Sequence, residues 1–307
     1  MTGVDQIALP IDPASSPESS FRRILMAAAR RVDDFKLLQG PRKRLEELAR
    51  LFRILREFLR GFRALHFVGP CVTVFGSARF DETHRYYALA HDMGAHFARL
   101  GLTVMTGGGP GIMEAANRGA REAGGRSIGC NIQLPIEQRP NPYLDRFITF
   151  RYFFVRKVML VKYSYGFLVM PGGFGTLDEL FEALTLLQTR KIENFRVVLM
   201  GTEYWRPMLE SIERTMTAWN TVDPSDFRLI QVTDDPAEAM AIFEQSMRAL
   251  KLAPLPVRPS ALLGESRPVP AISASAEQNA ITTRNLPAQE RDVPPNGPTP
   301  VQTGAAS

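Results

Sequence analysis

The segment LVMPGGFGTLDEL, residues 168–180, runs from apolar residues into a glycine-rich turn and then to two adjacent acids, Asp178 and Glu179. A glycine-rich turn between a strand and a helix suits phosphate. Glycine lets the backbone approach the oxygens closely, and a helix start offers free N–H groups and a partial positive end. Carboxylates just beyond such a turn would repel phosphate, so they need another task. A helix beginning at Thr176 presents Glu179 one turn in. A carboxylate placed beside a sugar can stabilise an oxocarbenium-like transition state or activate water, as in glycoside hydrolysis. The pattern is therefore that of a loop holding a nucleotide 5′-phosphate while an acid acts at the glycosidic carbon. Asp178 and Glu179 serve a helix N-terminus equally well as favourable charges, and composition alone leaves the two readings even.

These residues have to be positioned by a scaffold. Helical spacing predicts one helix over 21–39, ended by Gly40-Pro41, and a second over 42–64. From Val72 onward short β-rich runs alternate with helices about six times. That alternation predicts an α/β fold with a doubly wound, Rossmann-like parallel sheet and helices on both faces, of strand order 3-2-1-4-5-6. In this count the run GFLVMP (166–171) is strand 4, and RFITF (146–150) is a short extra strand. Small-residue loops follow strand 1 (FGSAR), strand 2 (TGGGPG) and strand 4 (MPGGFGT), and the assumed order brings all three to the switch-point crevice. The expected organisation is a disordered 1–20, a helical extension over 21–66, the Rossmann-like domain over 67–252 and a disordered tail over 253–307, where ten prolines fall.

Other chemistries find little support. G-x-G-x-x-G does not follow strand 1, and the other loops read Gly109-x-Gly111-x-x-Glu114 and Gly173-x-Gly175-x-x-Asp178, with an acid in place of the third glycine. No G-x-x-x-x-G-K-[ST] or G-x-S-x-G occurs. The four histidines, His66, His84, His91 and His96, have no ligand spacing, and no C-x-x-C is present, so no metal is expected. Cys71 and Cys130, the two cysteines, each sit in an apolar strand-like run and read as buried thiols. The net charge of +5 is concentrated in residues 21–63, with thirteen Lys/Arg against five Asp/Glu. The preferred reading is the solvated face of an amphipathic helix rather than a nucleic-acid or membrane surface. Leu45, Leu48, Phe52, Leu55, Leu59 and Phe62 recur at helical spacing, which predicts that this face is buried against the core or a second subunit. With no apolar run of membrane length, a cytoplasmic protein is expected.

The stretch PGGFGTLDE (171–179) matches the P-G-G-x-G-T-x-x-E signature of the Lonely Guy family, the cytokinin riboside 5′-monophosphate phosphoribohydrolases. GGGPGIMEAAN (107–117) resembles that family's second glycine motif, VRK (155–157) its upstream Arg-Lys pair, and LPIEQRPNPY (134–143) with the N-terminal helices its longer bacterial branch. The resemblance covers about residues 68–250. It implies cleavage of the N-glycosidic bond of a purine nucleoside 5′-monophosphate, AMP or an N6-modified AMP, giving free base and ribose 5-phosphate. Carried over, Glu179 is the catalytic acid and Arg156 its partner. Gly172, Gly173, Phe174, Gly175 and Thr176 supply the phosphate-binding turn, with Lys157 as a phosphate contact. Gly108, Gly109 and Gly111 line the opposite wall, Ser77 is a further substrate- or phosphate-binding residue, Met113 faces ligand or core, and Glu137 reaches the ribose hydroxyls. No cofactor or metal is implied, and a homodimer or larger homo-oligomer is, with the site near a subunit interface. Members have often been labelled lysine decarboxylases, yet no arrangement here suits pyridoxal phosphate. The alternative reading is a non-catalytic carrier of a nucleotide or a molybdopterin-type cofactor on the same sheet.

Overall fold

A computed structural model describes residues 33–41, 43–134 and 139–249. The expected disordered ends, and residues 21–32 of the expected first helix, lie outside the described residues. The helical extension consists of α1 (Asp33–Leu37) and the long α2 (Arg44–Leu65). Then follow β1 (Cys71–Phe75), α3 (Arg85–Arg99), β2 (Thr103–Thr106), α4 (Ile112–Glu122), β3 (Ser127–Ile132), β4 (Arg146–Phe150), α5 (Phe153–Tyr163) and β5 (Ser164–Val169). The chain continues through α6 (Phe174–Gln188), β6 (Arg196–Met200), α7 (Thr202–Ala218), a 3-10 turn (Pro224–Leu229), β7 (Ile230–Thr233) and α8 (Pro236–Ala249).

The strands form one seven-stranded sheet of order β4-β3-β2-β1-β5-β6-β7. Every neighbouring pair is parallel. The order is the doubly wound one expected, with RFITF (β4) added beyond β3 as an edge strand. Its central strands β1, β2 and β5 are buried along nearly their whole length, as strands covered on both faces are. One core lies between the sheet and α3, α4 and α8, built on Phe97, Met93, Ile112 and Phe243. The other lies under α2, α5, α6 and α7, built on Leu65, Met159, Leu180, Phe167 and Trp205. Cys71 and Cys130 are buried, and burial pushes both thiols up to about 12, so neither is a ready nucleophile.

Of the two burials expected for the apolar stripe of α2, the core supplies only a part, at the C-terminal end of the helix. Phe62 packs against the core, whereas the rest of the stripe points away from it: Leu45 is 81% exposed, and Leu48, Phe52, Leu55 and Leu59 are about half exposed or more. The helix instead turns Arg50, Glu57, Gly61 and Leu65 inward, with Ile54 and Phe58 packed beside them. Two contacts explain the rotation. Gly61 fits against Met159 of α5, whose Cε would lie 2.9 Å from a Cβ there. Glu57 accepts hydrogen bonds from two backbone N–H groups just before α5, at 2.7 Å from Arg151 and 3.1 Å from Tyr152. Those donors have no helical partner and must find one.

Candidate active site

The three small-residue loops meet at the C-terminal edge of the central strands, where the strand order reverses between β1 and β5. Ser77 ties them together through its backbone. Its N–H donates to Pro171 O at 2.9 Å, and its carbonyl accepts from Ile112 N–H at 3.1 Å. This close approach requires glycine at 111, which has φ +71° and where a Cβ would collide with the Ser77 carbonyl. The loops enclose a cleft of about 620 Å³. That volume is typical of a small-molecule site.

The cleft brings together Ser77, Met113, Arg156, Gly172, Gly173, Phe174, Gly175, Thr176 and Glu179 from the expected set. Gly108, Gly109 and Gly111 do not line it, although Gly107 does. Their backbone is engaged in holding the loop. Gly108 N–H donates to Thr106 Oγ1 at 2.8 Å, and Asn141 binds Gly108 O through its N–H and Gly109 O through Nδ2. Asn117, at the end of the quoted GGGPGIMEAAN, is the buried hub that accepts from Thr106 and Asn141 and donates to Ser127. Glu137 lies outside the described residues.

Helix α6 starts at the cleft. Its cap residue is Gly173, with no side-chain hydrogen bond to the first turn, so the helix end is open to an anion. Gly172 precedes it because a Cβ there would run into the Thr176 side chain. At Gly173 and Gly175 a Cβ would meet nothing within 4 Å, so both face open space. Phe174 is 92% exposed at the rim.

One turn into α6, Glu179 is only 1% exposed. Its Oε1 accepts from Arg156 Nη2 at 2.9 Å, across from the first turn of α5. The Arg156 guanidinium also lies 5.3 Å from the Phe153 ring centroid, which limits its swing. Beyond that single bond both groups are unfinished: Arg156 Nε and Glu179 Oε2 are buried with no hydrogen-bond partner. Burial pushes the Glu179 carboxyl above the ordinary glutamate value, while Arg156 and then Lys157 pull it back without cancelling the effect. Lys157 does not line the cleft and is held between Asp178 and Glu182, at 2.8 Å from each. Partial burial draws its pKa down, but these carboxylates outweigh it and keep the ammonium more strongly charged than an ordinary lysine.

Three further residues enter the site. Arg79 and Phe80 extend the loop after β1 into the cleft, and Tyr204 at the start of α7 lines it while donating its hydroxyl to Gly172 O at 2.7 Å. Arg79 was visible in the quoted FGSAR as a cation at the switch point. Tyr204 carries no local signal, because only the placement of β6 beside β5 brings α7 there. Among the described residues no group of three or more His, Cys, Asp or Glu side chains is placed to hold a metal ion. No helix among them is long and apolar enough to cross a membrane.

A family model described as "Possible lysine decarboxylase" matches residues 113–243. The chain is 28% identical over 228 residues to a pyrimidine/purine nucleotide 5′-monophosphate nucleosidase of Escherichia coli strain K12, covering 69% of this chain and 48% of that protein. It is 31% identical over 145 residues to a cytokinin riboside 5′-monophosphate phosphoribohydrolase of Rhodococcoides fascians, covering 46% of this chain and 73% of that protein. This chain thus spans about half the length of the Escherichia coli relative. Among solved structures, a molybdenum cofactor carrier protein from Chlamydomonas reinhardtii aligns at 25% identity over 58% of this chain and 98% of that one, with a TM-score of 0.43, a loose likeness.

Proposed function

The chain belongs to the Lonely Guy family, and from that premise we propose that it hydrolyses the N-glycosidic bond of a purine nucleoside 5′-monophosphate. The substrate is AMP or an N6-modified AMP, and the products are the free base and ribose 5-phosphate. Relatives named for nucleotide 5′-monophosphates and for cytokinin riboside 5′-monophosphate support a substrate of this class. The observation that carries the reading is the buried Arg156–Glu179 contact at the cleft, made at 2.9 Å. A carrier that performs no chemistry has no need of the Arg156–Glu179 contact.

In this reading the 5′-phosphate sits on the uncapped start of α6, on the N–H groups and hydroxyl around Gly173, Gly175 and Thr176. The ribose then lies over Glu179. The C1′–N bond breaks with its electron pair leaving on the base, and the Glu179 carboxylate stabilises the positive charge that develops on the sugar. A water oxygen bonds to C1′, and its proton passes to Glu179 and then to the departing base. Arg156 opposes the effect of burial on Glu179, favouring its carboxylate, and aims it. Lys157 suits a decarboxylase poorly, since a Schiff-base lysine must give up its proton and this one is held charged by two acids. We also propose a homo-oligomer, supported by the exposed Phe153, Phe154, Val158 and Phe174 beside the pair.

Incubation with AMP and with N6-prenylated AMP, followed by chromatography, is expected to show free base from at least one of them; intact nucleotide from both contradicts the proposal. The glycines give a second check. Gly175→Ala is expected to leave the melting temperature unchanged or raised, since alanine favours a helix by roughly 0.5–1 kcal/mol. Its methyl enters the open space at the phosphate turn, so KM should rise. Gly172→Ala is expected to lower stability by about 1–3 kcal/mol through overpacking against Thr176.

A further inference from the structure

The backbone N–H groups at the start of α5 are satisfied from outside the α/β domain. The cap residue Tyr152 makes no side-chain hydrogen bond to the helix. Instead, Glu57 Oε1 of α2 accepts from Arg151 and Tyr152 N–H, and Asp34 Oδ2 of α1 accepts from Phe153 N–H at 3.1 Å. Asp33 adds ion pairs to Arg53 of α2 and Arg151, both at 3.4 Å. Glu57 is only 6% exposed, and both hydrogen bonds it accepts come from the segment before α5. The helix held in this way carries Arg156, whose N–H closes its first turn on Tyr152 O at 3.2 Å. Three residues beyond the last capped N–H, its guanidinium must meet Glu179 at hydrogen-bond distance.

We propose that Glu57 is a positioning residue for hydrolysis. It sets the height and rotation of α5, and through α5 the reach of Arg156 to Glu179. The N-terminal helices are thereby part of the catalytic scaffold, although they contribute no group to the cleft. This inference rests on the roles of Arg156 and Glu179 proposed above. The geometry makes it demanding, because a displacement of about 1 Å in a catalytic group can cost about 10²-fold in rate.

Two near-isosteric variants separate reach from charge. Glu57→Gln keeps a carbonyl oxygen at the same reach and loses the charge. Glu57→Asp keeps the charge and withdraws the acceptor by about 1.5 Å, one carbon–carbon bond. With AMP or the N6-modified nucleotide that proves active, Glu57→Asp is expected to lower kcat by roughly tenfold or more with KM little changed. Glu57→Gln is expected to stay within about threefold of wild type. In an Arg156→Lys background the Glu57→Asp change should add little, because the geometry it disturbs is already lost. The proposal is overturned if Glu57→Asp matches wild type, if Glu57→Gln is the more impaired, or if the Glu57→Asp loss is undiminished in the Arg156→Lys background. Glu179→Gln assayed alongside separates the two levels: full activity there removes the reading of the site itself, whereas its inactivity with a fully active Glu57→Asp removes only the positioning role.

Discussion

Glu179→Gln is expected to lower kcat for base release by roughly 10²–10⁴-fold, the usual worth of a positioned acid–base group. The substitution is nearly isosteric and retains an acceptor for Arg156 Nη2, which now approaches Glu179 Oε1 at 2.9 Å. What disappears is the negative charge facing C1′ and the site that takes the proton from water. KM should change little, since phosphate binding lies with the start of α6 rather than with this side chain. Steady-state kinetics of base release measures both parameters. A variant with wild-type kcat would leave the carboxylate without a catalytic role.

Arg156→Ala is expected to reduce kcat/KM by roughly 10²–10³-fold, comparable to removing one preorganised donor from a reacting centre. It should also move the acid limb of the pH profile. Burial has already raised the Glu179 pKa, and Arg156 is the leading influence pulling it back. Without that cation the pKa rises further. The active form is the carboxylate, so activity is lost at a higher pH as the solution is acidified. The same sign governs stability. A carboxyl whose folded pKa is raised contributes most below its unfolded pKa, and the contribution is lost as pH rises through the folded value. The folded protein should therefore lose stability as pH rises from the ordinary glutamate value through the raised folded value, over a wider span in Arg156→Ala than in wild type. Arg156→Lys separates the roles: its charge keeps the acid limb near that of wild type, while loss of the planar fork keeps kcat low. Rate profiles and thermal melts at several pH values test these directions.

The parallel sheet was legible because β1, β2 and β5 are short β-rich runs separated by helices of regular period, and connection rules leave few orders for such a chain. β4 was harder to place, since among the described residues no helix stands between β3 and its five residues to force a crossover. The nearness of Arg156 to Glu179 follows from motifs on α5 and α6, helices that flank β5. Periodicity at α2 marked an apolar stripe but not which part of the helix meets the core. It reports which residues are apolar, whereas the inward face was decided by the Arg151 and Tyr152 N–H groups drawing Glu57 and by Gly61 fitting Met159. Nor does a run of glycines reveal which of them faces a ligand. Gly173 and Gly175 meet open space, while Gly108, Gly109 and Gly111 lie off the cleft in a loop tied by Asn117, Asn141 and Ser77. Tyr204 needed the sheet order before its place was known.

The most direct measurement is hydrolysis of the nucleoside monophosphate in ¹⁸O-labelled water, with the products analysed by mass spectrometry. The account predicts label in ribose 5-phosphate and an unlabelled free base, because the water oxygen bonds to C1′. Label in inorganic phosphate, with the nucleoside left whole, would contradict it by placing the attack on phosphorus.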